Sequence, residues 1–119
     1  MNAPPDLLEV AARLAALSRD LDRQTTAAEV LDRDAVEKRH VYELAFSRSY
    51  LSSTGSVEQR KHHAVIETGQ EKLAAEIADA ALRACRTRIA TIKASIETGR
   101  SLASAIKAEI SLANAGHTP

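Results

Sequence analysis

Four basic side chains, Arg86, Lys93, Arg100 and Lys107, recur every seven residues late in the chain, with Arg83 and Arg88 close by. Between positions 83 and 107 six basic residues stand against one acid, Glu97. On a helix this recurrence sets a positive charge about every 10 Å along one side. Such a row can follow phosphates or an acidic partner. The competing reading is that the row borders a helix–helix seam and is neutralised by Asp6, Glu9, Asp20 and Asp22 on a neighbouring helix. The second reading is favoured, because patterned charge on a helix marks a solvated, salt-bridged face. No aromatic lies in the row to stack on bases.

The remaining candidates for chemistry are weaker. His62 and His63 have Glu58 and Glu67 four residues away on either side, a spacing that lets a helix hold a metal only with a third ligand and an ordered outer shell. Neighbouring helical residues point about 100° apart, so the two histidines cannot clamp one ion. His40 is expected nearer residue 70, and both histidines read as solvated surface. Cys85 fills a seam position as a small apolar group and has no histidine at hand to activate it. Ser47, Ser49, Ser52 and Ser53 cluster without the strained strand-to-helix elbow of a hydrolase serine. No phosphate-cradling glycine loop, paired-cysteine motif or calcium loop is present, and narrow helical seams offer no concave pocket. The expectation is a non-enzymatic protein with no catalytic residue, metal or cofactor.

The elements that carry these residues are helical. Of 119 residues, 27% are charged and only 3% aromatic, with no Trp, four Gly and three Pro. This is the composition of coiled coils and long helices rather than of a thick globular core. Acidic and basic residues balance at 16 each, so no global field draws the chain to nucleic acid or membrane. One cysteine excludes an internal disulfide and fits a reducing compartment. The start of the chain lacks a basic segment followed by an apolar run, and no stretch nears about 18 uninterrupted apolar residues. The expected setting is the cytoplasm of a bacterial cell, without membrane contact.

Residues 1–5 form a lead without reason to be ordered, and Asp6 is a helix N-cap. Leu7, Val10, Leu14, Leu17 and Leu21 then alternate spacings of three and four, a heptad seam that continues through Gln24, Ala28, Leu31, Ala35, Lys38, Tyr42 and Ala45. Tyr42, Phe46 and Tyr50 are expected to carry the packing of its second half. The spacing predicts one helix over 6–52, with a kink or break open at 24–26, where Thr26-Ala27-Ala28-Glu29 has capping-box form. Ser52 to Ser56 interrupts the pattern: Gly55 stops it, and Ser56-Val57-Glu58-Gln59 has the capping-box form of a new start.

A second helix is predicted over 57–113, with a turn at 53–56 and a tail at 114–119 in which Asn114 or Gly116 supplies a left-handed terminator. Ile66, Leu73, Ile77, Ala81 and Cys85 fall along its early face. Ile89, Ile96, Ala103 and Ile110, alternating with Cys85, Ile92, Gly99 and Ile106, make clean heptads later. A short turn between two long helices folds them into an antiparallel hairpin over 6–113. Leu7 to Leu21 then face Ile89 to Ile106. Apolar residues outside that frame, including Val65, Ala74, Ala80, Ala84, Ala90, Ala94, Leu102 and Leu112, leave material for a second contact surface. The expectation is a homodimer in a four-helix arrangement.

The run Tyr42-Glu43-Leu44-Ala45-Phe46-Ser47-Arg48-Ser49-Tyr50-Leu51, followed by Gly55-Ser56-Val57-Glu58-Gln59-Arg60-Lys61, by Ala64, and later by Gly99-Arg100-Ser101-Leu102, resembles small Ala-rich helical proteins of tailed bacteriophages and prophages. The similarity spans roughly residues 28 to 112. It implies a phage accessory protein and carries over no site residues. The function expected is coiled-coil interaction with a protein partner, the alternative being a nucleic-acid-binding replication or recombination accessory that uses the basic row.

Overall fold

The computed structural model describes residues 6–116. Asp6 accepts from the Glu9 amide at 2.8 Å and opens α1, Leu7–Ser52. This bond satisfies one of the amides that the first turn leaves without a helical partner. The helix runs on through Thr25 and Thr26 without a break, since the Thr25 hydroxyl donates to the Leu21 carbonyl four residues back. That bond stays within the helix and does not compete with it, so no break forms at 24–26.

Gly55 takes φ 106°, the sole left-handed residue among those described. A side chain there is disfavoured twice, because a Cβ would also collide with Gln59 Oε1. Gln59 is held where it is by a reciprocal pair of bonds: its amide donates to Ser56 Oγ at 3.2 Å and its side chain accepts from the Ser56 amide at 2.9 Å. This capping box starts α2, Val57–Glu67.

The second helix does not continue unbroken to 113. It is interrupted at Thr68, and α3 spans Gly69–Gly116. Thr68 sits at φ −105° and ψ 18°, and both its amide (3.0 Å) and its hydroxyl (2.6 Å) donate to the Ala64 carbonyl. Thr98, also followed by a glycine, makes the same hydroxyl bond to the Ala94 carbonyl within unbroken α3, so the threonine–glycine pair does not by itself account for the interruption. The chain therefore has three helices, with the interruption at Thr68. At the far end α3 extends past 113: Asn114 and Gly116 are helical and neither is left-handed. Leu112, Ala113 and Ala115 favour helix and hold no stop signal. The lead at 1–5 and residues 117–119 of the expected tail lie outside the described residues.

Helices account for all the regular structure described. The chain divides into two compact units, one formed by Thr26–Arg86 and the other by the segments up to Thr25 and from Thr87 onward, and in each a stretch of α1 packs against the returning arm as in a helical hairpin. In the first, Ala35, Ala78 and Leu82 form the centre of the interior with Leu31 against them. In the second, Val10, Ile92 and Ile96 are buried, and Leu14 packs on Gly99.

The heptad frame on α1 is the one its spacing predicts, from Leu7 to Ala45, with every position buried or half-buried except Lys38, and with buried Ser49 next in phase. On α2 and α3 the early face is different from the expected one. Ile66, Leu73 and Ile77 are 82%, 51% and 60% exposed. The seam instead runs Ala64, Thr68, Glu71, Ala75, Ala78, Leu82 and Cys85, all buried or half-buried. These positions follow from counting back from Cys85 in steps of three and four, so phase decides the face and side-chain bulk does not. Ile110 is corrected too, being 48% exposed. The register that sets Leu14 beside Gly99 carries Ile110 past Asp6, the first described residue, where no described side chain of α1 faces it.

Candidate interaction surface

Near the turn, Ser49, Glu67 and His63 form a short polar chain. Buried Ser49 donates to Glu67 Oε2 at 3.0 Å, and His63 Nε2 lies 2.6 Å from the same oxygen. The carboxylate stands between hydroxyl and imidazole, so the imidazole does not meet the Ser49 proton directly. The arrangement instead ties α1 to α2 next to the turn. Ser52 and Ser53 both donate to the Ser49 carbonyl and close the end of α1, so three of the four clustered serines serve the turn. Gly55, Ser56 and Gln59 occupy the architectural positions expected of them.

Aromatic packing follows. Tyr42 and Phe46 meet edge to face with centroids 6.2 Å apart, and the Arg60 guanidinium lies 6.0 Å from the Tyr50 ring centre. All three rings are half-buried. Arg60 Nε and Glu71 Oε2 are buried without a hydrogen-bond partner among the described residues. Glu71 is the one acid in the seam of α2 and α3, where an unpaired oxygen opposes stability. No group of three or more potential metal ligands occurs among the described residues, and His40, exposed on α1, does not join His62 and His63.

The unit that contains both chain ends holds a groove of about 430 Å³, which corrects the expectation that the seam leaves no concavity. Val10, Leu14 and Leu17 form one wall, and Ala94, Ser95, Gly99 and Leu102 the other. Small residues on α3 produce it, since Ala, Ser and Gly leave space beside the leucines of α1. Its polar content is modest. Thr91 and Thr98 line it but donate to Thr87 and Ala94 carbonyls of their own helix, leaving Glu9, Arg13 and the Ser95 hydroxyl to meet a visitor.

Arg83, Arg86, Arg88, Lys93, Arg100 and Lys107 are all exposed on α3. Of the acids expected to neutralise them, Asp6 and Asp20 are engaged on α1 itself. Asp6 caps α1, Asp20 pairs with Arg23 of its own helix at 3.3 Å, and Arg86 reaches Asp32 at 3.6 Å. Arg88 contacts Gln24 at 3.4 Å and Arg100 pairs with Glu97 at 3.1 Å. The reason is register: Arg86 and Arg88 meet what stands level with them on α1, Asp32 and Gln24. Exposed pairs of this kind contribute little individually. Arg39 and Asp79 form an ion pair between α1 and α3 at 2.9 Å, which heptad spacing alone does not predict.

The larger departure from a charged, solvated exterior is apolar. Val30, Val41 and Leu44 on α1, Val65 and Ile66 on α2, and Leu73 and Ile77 on α3 are all more than one-third exposed in one unit, as are Leu8, Leu102, Ile110 and Leu112 in the other. No helix among the described residues is long and apolar enough to cross a membrane. Compared with protein-family models, curated proteins and solved structures, the chain has no match.

Proposed function

We propose that this chain is a non-enzymatic helical hairpin that works by binding protein through its exposed helical faces, with a second copy of itself as one partner. The observation that carries this is the mismatch between interior and exterior. Among the described residues the buried positions include only four large aliphatic side chains, Val10, Leu82, Ile92 and Ile96, against many exposed ones. Burial of large apolar side chains is the main favourable term in folding and association, so a chain that leaves its bulk outside gains most when another surface covers it. A place among phage or prophage accessory proteins rests on the resemblance around the turn. Light scattering across micromolar concentrations tests the self-association, with a dimer expected and a compact monomer throughout counting against it. A pull-down from a bacterial host tests for a different partner.

A second reading is supported by the exposure of the basic row. Under it the chain binds nucleic acid through Arg86, Lys93, Arg100 and Lys107. A gel shift at low salt discriminates, since binding that persists after Arg86, Lys93 and Arg100 are all replaced by Glu rejects the row as the contact.

A further inference from the structure

A helix that packs along one seam ordinarily carries its charge on the side facing away. Within Thr26–Arg86, α1 keeps charge there, with exposed Arg33 and Glu37 on its outer side between Val30 and Leu44. The start of the returning arm does not. Opposite its seam stand Ile66, Gln70, Leu73, Ile77, Ala80 and Ala84, spaced alternately four and three, with no charge among them and every one exposed. Strict three-and-four spacing on an uncharged face is a second heptad seam, and none of the described residues covers it.

Resting on the self-association reading above, we propose that this face is the interface between two copies of the chain, packed antiparallel about a two-fold axis level with Ala78 and Asp79. Side-chain size points to that register. The first half of the stripe is bulky, with Ile66, Leu73 and Ile77, and the second half small, with Ala80 and Ala84. Antiparallel packing sets Ile77 across from Ala80 of the second copy and Leu73 across from Ala84, so the two large side chains nearest the axis each meet a small one. Parallel packing would crowd bulk at one end and leave a gap at the other.

Charge points to the same register. Glu76 and Arg83 stand seven apart on one flank of the stripe, and the two-fold brings Glu76 of each copy beside Arg83 of the other, giving two attractive pairs. In a parallel dimer Glu76 would face Ala81 and the pair would be lost. The other flank carries Ala74 and Ala81, which meet across the axis and let the helices approach closely.

Two experiments test the register. Oxidising an equimolar mixture of the Leu73→Cys and Ala84→Cys variants, with light scattering alongside, should give a covalent dimer that neither variant gives alone; the native thiol, Cys85, is fully buried. A dimer that never cross-links in the mixture overturns this interface and leaves self-association standing, whereas a monomer throughout overturns both. Glu76→Arg or Arg83→Glu alone should weaken dimerisation roughly tenfold, from two reversed pairs, and the double exchange should restore it with helical content unchanged. A double variant as weak as the singles overturns the register.

Discussion

A Cβ placed on Gly99 would stand 2.6 Å from Leu14 Cδ2, so the bare backbone of α3 at Gly99 is the surface on which Leu14 of α1 rests. Replacing Gly99 by Ala gains about 1 kcal/mol of helix propensity and forces Leu14 from its rotamer, which costs a similar amount, about 1 kcal/mol. The single variant is expected to be nearly neutral. In a Leu14→Ala background the same change should stabilise by about 1 kcal/mol, because only the propensity remains. A double-mutant cycle by urea denaturation reads the difference. Equal effects in both backgrounds would show that the two residues are not coupled.

Gly55→Ala should lose about 2 kcal/mol. The left-handed backbone at φ 106° accounts for roughly 1–2 kcal/mol, and the displaced Gln59 side chain adds part of a cap. In a Gln59→Ala background the loss should shrink to the backbone part, read as a smaller drop in Tm.

Glu71→Leu should stabilise the fold. Glu71 Oε2 is buried without a partner in a seam of small residues, and removing an unsatisfied oxygen recovers about 1–3 kcal/mol. Thermal unfolding followed by circular dichroism checks it, and a lower Tm would mean that the oxygen has a partner in solution.

Cys85 is fully buried in that seam. Its modification by a thiol reagent should therefore be limited by opening of the hairpin, with labelling that accelerates in step with added denaturant. Cys85→Ser should destabilise by roughly 1–3 kcal/mol, the cost of a hydroxyl where a thiol packs. Rapid stoichiometric labelling of the native protein would contradict this burial.

How much of this was legible in the sequence depended on whether size and phase agreed. On α1 they agree, since Leu7, Leu14 and Leu21 are both large and in frame, and the seam followed from spacing. Past the turn they disagree. Ile66, Leu73 and Ile77 draw the eye by bulk, while Ala64, Thr68, Ala75 and Ala78 hold the frame. Counting back from Ile89 in threes and fours would have found them. The turn was legible because Gly55 and the Ser56 to Gln59 box are local chemistry. The interruption at Thr68 was not, because Thr68-Gly69 and Thr98-Gly99 look alike in sequence and only the first interrupts the helix. The groove depends on how Leu14 and Gly99 pair across the hairpin, and spacing along either helix alone is silent on that.

The capping box beside Gly55 also bears on the order in which the protein folds. Contacts across the hairpin join residues 18 apart at Ser49 and Glu67, 40 apart at Arg39 and Asp79, and 64 apart at Gln24 and Arg88. The entropy of closing a loop grows with its length, so pairing that begins at the turn closes the smallest loop first and adds each further contact onto a chain already joined. Growth from a local nucleus keeps contact order low at every step and favours rapid folding. Native-state hydrogen exchange should then show the slowest amides in Thr26–Arg86 and progressively faster ones toward Leu7 and Gly116. A turn residue with no part in binding would thereby set the direction in which the hairpin closes.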